Sequence, residues 1–354
     1  MDATKSFPPL SRRKRFFFYL IAYTFFALLL FSLAEMTARV KGVRPYAVKA
    51  ADIVVEPGGR FFTANPTLGY THLPGQFKIT LADSYTFKAT NLNNTLRVTH
   101  PLNTYPPEDH KREIWILGDS ITYGWSVNDE ESYPWLLQEN FPDYEIVNFG
   151  VSGYGTLHSL IQLREALESG KKPQVVILAY ASWHDVRNTF IRIRRKMLAS
   201  SSSLGSVNQP YARLTKEGKL EIFMDTIAYH EFPLMRYSAF IHALEEIYDR
   251  YEERHARSHE VTKAIIKEIS DLCRASGITF AVVTLTSDPT TSDMLDHCQR
   301  EGIKTGSIWV DLNIKENNNL PYDSHPSAIA HQQYAHKLES FLRLNVLNGL
   351  FAAR

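Results

Sequence analysis

A run of uncharged, mostly apolar residues near the N-terminus is the strongest pattern along the chain. It covers nineteen residues, 16–34, and follows a basic cluster at 12–15. In a helix that rises about 1.5 Å per residue, this run comes close to the roughly 30 Å thickness of bilayer hydrocarbon. We therefore predict a transmembrane helix at 16–34 rather than a cleaved signal peptide, because no small-residue cleavage site follows. The basic residues before it place 1–15 in the cytoplasm and the chain after about Val40 outside it.

The segment from 41 to 110 has short alternating patterns and no helical period. Residues 77–81 and 85–89 alternate apolar and polar side chains, and turn-forming residues lie beside them. These patterns predict a small β-rich lead-in that packs on the main domain. A partly ordered stalk is the alternative.

Residues 111–354 alternate short apolar runs with helical patterns. The apolar runs lie at 113–117, 145–149, 175–181, 278–285 and 308–312. Continuous apolar strands that alternate with helices are typical of a parallel sheet covered on both faces, so we predict an α/β domain. One long helix is predicted at about 241–275. An insertion at about 186–238, with a hairpin near Gly218, interrupts the pattern and is a candidate cap over the strand ends.

The composition excludes some classes of protein. Lysine and arginine (39) balance aspartate and glutamate (38), so no overall field would attract nucleic acid. The two cysteines, Cys273 and Cys298, are too few for a disulfide framework and lack the spacing of a zinc site. They could form one bridge or pack unpaired.

The residues Gly118, Asp119 and Ser120 follow the first predicted strand, at the sheet edge where reacting groups collect in such folds. A serine hydroxyl needs a base to take its proton and a group that orients the base. Asp323 and His325 follow the last predicted strand. The sequence therefore predicts Ser120 as a nucleophile, His325 as its base and Asp323 as the orienting carboxylate.

A glycine-rich turn at 148–155 (NFGVSGYG) follows the second predicted strand. Glycines let a backbone approach a substrate closely, so the Gly150 N–H is a candidate oxyanion donor beside the Ser120 N–H. A turn with no chemical role is the alternative. The spacing does not match a dinucleotide-binding fingerprint. Three aromatic residues beside these motifs are candidates for a substrate rim or for the core: Tyr123, Trp125 and Tyr154.

These motifs, in this order, resemble the SGNH, or GDSL-type, hydrolases. The resemblance covers roughly 113–344 without the insertion, and the apolar N-terminus with its lead-in is similar to membrane-anchored bacterial members. It implies a flavodoxin-like five-stranded parallel sheet and a serine esterase without metal or cofactor. It also implies Ser120 as nucleophile and first oxyanion donor, Gly150 as second donor, His325 as base and Asp323 as its orienter.

One position departs from the family pattern. His184 stands after the third strand, where the family has an asparagine as the third oxyanion donor, and a histidine N–H can also donate. The expected reaction is hydrolysis of an acyl ester, such as an acetyl group, on a glycan or lipid in the periplasm. Two alternatives remain: an O-acyltransferase with the same triad, and a non-catalytic envelope protein that binds a glycan or a partner.

Overall fold

The computed structural model of the protein describes residues 11–48, 52–102, 112–199 and 207–348. Residues 1–10 of the predicted cytoplasmic N-terminus, the end of the predicted lead-in and part of the predicted insertion lie outside these ranges. The described residues form two units. One combines those of Met1–Lys49 with His230–Tyr251, and the other those of Ala50–Tyr229 with Glu252–Arg354.

The larger unit is built on a five-stranded parallel sheet. The described strands of the whole unit, in this sheet and in smaller ones, are β1 (Ile53–Glu56), β2 (Phe62–Asn65), β3 (Gly69–His72), β4 (Gly75–Leu81), β5 (Tyr85–Asn91), β6 (Arg112–Leu117), β7 (Tyr144–Asn148), β8 (Val175–Tyr180), β9 (Asn208–Leu214), β10 (Leu220–Thr226), β11 (Thr279–Thr284) and β12 (Lys304–Ser307). The parallel sheet has the order β12-β11-β8-β6-β7, which is the flavodoxin-like order. Every residue of β8 is buried, as expected for a strand covered on both faces. The predicted fold is confirmed, and β9 and β10 form the predicted hairpin.

Helices pack on both faces of the sheet and also form the N-terminal part of the chain. They are α1 (Arg12–Val40), α2 (Ser120–Tyr123), α3 (Tyr133–Asn140), α4 (Thr156–Glu168), α5 (His184–Thr189), α6 (Arg192–Ala199), α7 (Ala239–Ala256), α8 (Ser258–Ala275), α9 (Pro289–Arg300) and α10 (Ala328–Phe341). The prediction of one helix over 241–275 is wrong. Arg257 adopts a left-handed backbone (φ 53°), which ends α7 and starts α8. The sequence around Arg257 contains neither glycine nor proline that would mark the break.

The smaller unit contains α1, a helix of 29 residues. By length and composition, it is the one helix among the described residues that could cross a membrane or act as a signal sequence. Its apolar side chains are exposed along the predicted span.

The fifth strand differs from its prediction. It is Lys304–Ser307, not 308–312, and it pairs with β11 at the edge of the sheet. Its residues are polar or glycine because an edge strand is partly exposed. Ile308 and Val310, which suggested a strand, follow it and are buried in the apolar cluster on one face of the sheet.

The lead-in is β-rich, as predicted, and it packs on the sheet domain. It contains the antiparallel sheet β1-β4-β5 and the β2-β3 hairpin. Phe61, Phe77 and Phe87 share a buried cluster with Tyr123 and Trp125. The stalk alternative is therefore wrong, and Tyr123 and Trp125 belong to the core.

The two cysteines are free and buried in the apolar cluster on the opposite face of the sheet, so they form no bridge. Burial raises the pKa of each thiol to about 12, which keeps both thiols protonated at neutral pH.

Candidate active site

Ser120 lies where β6 turns into α2, at the carboxyl edge of the sheet. The Asp119 carboxylate caps α2 by accepting the Ile121 N–H at 3.0 Å. Gly118 is required in this turn because a Cβ there would lie 2.0 Å from Thr122 Oγ1. The turn holds Ser120 in a mostly buried position, 7% exposed.

His325 and Asp323 continue a hydrogen-bonded chain that begins at Ser120. The Ser120 Oγ lies 2.9 Å from His325 Nε2, and His325 Nδ1 lies 2.8 Å from Asp323 Oδ1. With its proton on Nδ1, facing the carboxylate, the imidazole can accept the serine proton at Nε2. The structure thus brings together the three residues that the sequence singled out from opposite ends of the domain.

Two further side chains hold the second oxygen of Asp323. The Oδ2 atom accepts the Trp125 Nε1–H at 2.8 Å and the Ser126 hydroxyl at 2.6 Å. Burial alone would raise the pKa of Asp323, but the hydrogen bonds from His325 and Ser126 outweigh it and lower the pKa to about 2. The carboxylate is therefore ionised at neutral pH. Ser126 carries no signal in the sequence.

Arg97 of the lead-in organises the loop that carries Trp125 and Ser126. Its guanidinium is buried and donates to three backbone carbonyls of residues 123–127. It also pairs with Asp129 Oδ1 at 2.9 Å, which supplies the counter-charge. Sequence reasoning missed this residue because a single arginine in a strand-rich segment forms no pattern. Only its burial identifies its role.

Asp119 is a fully buried carboxylate that joins the turns after β6 and β8. Its Oδ2 accepts the Trp183 Nε1–H at 2.8 Å and an Arg187 N–H at 2.9 Å, and His184 Nε2 lies 3.3 Å away. Burial alone would raise the pKa of Asp119, but His184, Arg187 and Trp183 hold it well below its ordinary range. Asp119 is therefore a fixed negative charge next to the nucleophile.

The structure places His184 beside Asp119, in the interior. Its side chain is 0% exposed, and its Nδ1 lies 3.4 Å from Thr156 Oγ1. The two ring nitrogens thus face Asp119 and Thr156. At the position expected to supply a third oxyanion donor, the structure therefore shows an imidazole that lies beside Asp119 and Thr156.

The start of the glycine-rich turn lies against α2. The Gly150 N–H donates to Asn148 Oδ1 at 2.9 Å, and a Cβ on Gly150 would lie 2.3 Å from the Tyr123 nitrogen. The Val151 N–H donates to the Gly118 carbonyl at 3.3 Å. The amide expected to be the second oxyanion donor is therefore already engaged within the turn.

The end of the same turn is held from behind. Tyr70 donates its hydroxyl to the Ser152 carbonyl at 2.9 Å, and Arg194 donates to the Gly153 carbonyl. Gly153 has a left-handed backbone (φ 83°), and a Cβ there would meet the Tyr70 hydroxyl at 2.4 Å. Within the part of the chain that the structure describes, neither the Gly153 N–H nor the Ser120 N–H has a hydrogen-bond partner.

The flavodoxin-like sheet, with its Ser–His–Asp chain at the carboxyl edge, defines a serine hydrolase. Among the described residues, no group of three or more His, Cys, Asp or Glu side chains could hold a metal ion. The chain belongs to the GDSL-like Lipase/Acylhydrolase family, whose model matches residues 116–333. The resemblance noted in the sequence is therefore confirmed at the level of the family.

Two solved structures illustrate the relationship. The chain is similar to the psychrotrophic esterase EstA from Pseudoalteromonas sp., at 13% identity and a TM-score of 0.37, over 66% of this chain and 97% of that one. It is also similar to a member of the lipolytic protein G-D-S-L family from Veillonella parvula DSM 2008, at 14% identity and a TM-score of 0.37, over 66% of this chain and 100% of that one. A comparison with curated proteins finds no match.

Proposed function

We propose that the protein is an esterase that hydrolyses an acyl ester through an acyl-Ser120 intermediate. The unbroken hydrogen-bonded chain from Ser120 Oγ through His325 to Asp323 carries this proposal. In the first step His325 takes the serine proton as Oγ attacks the ester carbonyl, and the protonated ring then gives that proton to the leaving alcohol. In the second step His325 takes a proton from the water that attacks the acyl-serine, and the ring then gives that proton to Ser120 Oγ as the acid leaves.

A fluorophosphonate probe tests the proposed nucleophile directly. We expect covalent labelling of the wild-type chain, with the modified peptide containing Ser120, because an activated serine attacks phosphorus as it attacks an ester carbonyl. The label is detected by mass spectrometry. Protein that is boiled in detergent before the probe is added should take up no label, which controls for nonspecific reaction. A folded protein that takes up no label would favour the non-catalytic binding protein.

For the oxyanion we propose two backbone donors, the N–H groups of Ser120 and Gly153. The Val151 contact with Gly118 holds one end of the turn beside the nucleophile, and Arg187, which binds both Asp119 and the Tyr154 carbonyl, holds the other end. Gly153 lies between these two attachments. Tyr70 does not take part in the reaction itself. Its hydroxyl donates to the Ser152 carbonyl, which polarises the Ser152–Gly153 peptide and strengthens the Gly153 N–H as a donor.

His184 in this proposal supports Asp119 and does not touch the oxyanion. We expect His184→Ala to lower the free energy of unfolding and to have a smaller effect on kcat, measured per folded molecule. The measurements are chemical denaturation and kcat on a small activated ester, with the exposed His336→Ala as the matched control. A selective fall in kcat of about 10²- to 10³-fold at unchanged stability would restore the donor role.

The surroundings of the triad favour a glycan as the carrier of the ester. Tyr322, next to Asp323 in the chain, is 44% exposed and stacks on Tyr85 with ring centroids 5.5 Å apart. Tyr85 in turn donates its hydroxyl to the Ser126 carbonyl at 2.7 Å, which fixes the pair beside the triad. A flat, partly exposed aromatic surface suits the apolar face of a sugar ring. Cleavage of phospholipid esters and not of acetylated sugars would contradict this substrate class.

We also propose that α1 anchors the chain in a membrane, with the catalytic unit on the far side from the cytoplasm. The basic residues at the start of α1 and its long uncharged run support this orientation. We expect alkaline phosphatase fused after Arg354 to be active in a bacterial host. Green fluorescent protein fused at the same position should stay dark, because it would be exported unfolded. The reverse pattern would overturn the orientation.

A further inference from the structure

One exposed face of α7 is apolar, although the exposed face of a helix in water is usually polar. Leu244 (39%), Ile247 (55%) and Tyr248 (44%) are exposed at i, i+3 and i+4 spacing. On the same helix Glu245 (0%) and Asp249 (7%) are buried. A helix that faces water on its outer side places its charges there and its apolar stripe inside. This reversal indicates that the medium outside the stripe is not water alone.

The first turn of α7 is attached to the end of α1. Glu35 of α1 accepts hydrogen bonds from the Ser238 hydroxyl (2.7 Å), the Ala239 N–H (3.0 Å) and the Phe240 N–H (2.9 Å). Its carboxylate therefore caps the N-terminus of α7, where negative charge is favourable. The rings of Phe31 and Phe240 also meet edge to face, with centroids 5.8 Å apart.

This attachment determines the depth of α7 in an anchored chain. The uncharged run of α1 ends at Ala34, so Glu35 and the first turn of α7 lie at the boundary between hydrocarbon and headgroups. The stripe begins six residues beyond Ser238, about 9 Å along the helix. Tyrosine is a residue type enriched at this depth. In a chain that α1 anchors, the stripe therefore begins near the end of α1 that would face lipid.

A third face of α7 carries exposed charges, including Glu246 and Arg250. The helix therefore has one face buried in the protein, one apolar outward face and one charged outward face. Two outward faces of opposite polarity match a helix that lies in the plane of a bilayer surface, with lipid on one side and water on the other.

We propose that α7 is an interfacial helix whose Leu244, Ile247 and Tyr248 side chains insert at the headgroup–acyl boundary of the membrane that α1 spans. The inference rests on the proposed anchor and is independent of the proposed esterase reaction. It gives the chain a second attachment to the membrane. A bilayer is favoured over a second protein chain because the stripe continues from the lipid-facing end of α1.

Labelling of introduced cysteines tests the proposal in the full chain. Leu244→Cys, Ile247→Cys and Tyr248→Cys carry an NBD fluorophore on the stripe, while Glu246→Cys and Arg250→Cys carry it on the charged face of the same helix. Unsubstituted chain is the labelling blank, because both native cysteines are buried. Each protein is reconstituted into phosphatidylcholine–phosphatidylglycerol vesicles, and fluorescence quenching by nitroxide lipid and by aqueous iodide is measured.

We expect stripe labels to be quenched several-fold more by nitroxide lipid than the two control labels, and several-fold less by iodide. Equal iodide quenching at all five positions would show that the stripe faces water and would overturn the proposal. Stripe labels shielded from both quenchers would show a protein partner and would also overturn it. Hydrolysis of p-nitrophenyl acetate by each variant shows whether the catalytic unit is folded, and resistance to alkaline carbonate extraction shows whether α1 anchors the chain. A failure of the proposed esterase reaction or of the proposed anchor is therefore distinguished from a failure of the α7 proposal.

Discussion

Replacing Ser120 with alanine should lower kcat on p-nitrophenyl acetate by about 10⁴- to 10⁶-fold, the range seen when the nucleophile of a serine hydrolase is removed. The change deletes the Oγ that lies 2.9 Å from His325 Nε2, so no acyl-enzyme can form. The remaining rate would come from substrate binding and the backbone donors. Initial-rate kinetics with purified protein measure the effect.

The stability of Ser120→Ala should remain close to that of the wild type. Oγ contributes little packing, and the turn around it is held by Asp119 and Gly118, which the substitution leaves in place. Ser169→Ala is the matched control, since that exposed hydroxyl donates to the Ala166 carbonyl at the end of α4, and the variant should keep full activity. A Ser120→Ala variant that retains a tenth of the wild-type kcat would place the nucleophile elsewhere.

Replacing Asp323 with asparagine should lower kcat by about 10⁴-fold, because the imidazole then loses the carboxylate that selects its tautomer. Among the described residues, the side chains that hydrogen-bond to the Asp323 carboxylate are donors: Trp125 and Ser126 on Oδ2, and His325 on Oδ1. An asparagine amide presents an N–H to one of these donors. The variant should therefore bind substrate with little change in KM while turnover falls. A kcat within tenfold of the wild type would exclude Asp323 as the orienting residue.

The same variant has a defined effect on the pH dependence of stability. The pKa of Asp323 is about 2 in the folded protein and about 3.9 in an unfolded chain. A lowered folded pKa contributes stability that is fully present above the unfolded value and is lost as the pH falls towards 2. We expect the free energy of unfolding of the wild type to fall more steeply than that of Asp323→Asn between about pH 4 and 2, by up to about 1.4 kcal/mol per pH unit. Urea unfolding at several pH values measures the two slopes, and parallel slopes would contradict the lowered pKa.

The sequence predicted those parts of the molecule that depend on local patterns. Apolar runs identified four of the five strands, because the inner strands β6, β8 and β11 are covered on both faces and the edge strand β7 still buries alternate residues. The fifth strand, β12, was missed because it contains no apolar residue. Likewise Ser120 closely follows β6, and Asp323 and His325 come after the last strand of the sheet, so the order of these motifs and strands predicted that the three residues meet.

Only the tertiary structure decided which groups surround the nucleophile and which surfaces face outward. Arg97 and Ser126 belong to no motif, and they matter because folding buries one against the 123–127 loop and aims the other at Asp323. The sequence does not distinguish the Gly150 amide from the Gly153 amide, but in the structure the Gly150 N–H donates to Asn148 Oδ1. The apolar stripe of α7 would read as a core face in sequence, yet it lies outside. A residue's type and its neighbours in the chain determine a local preference, whereas burial and hydrogen-bond partners depend on segments that meet only when the chain has folded.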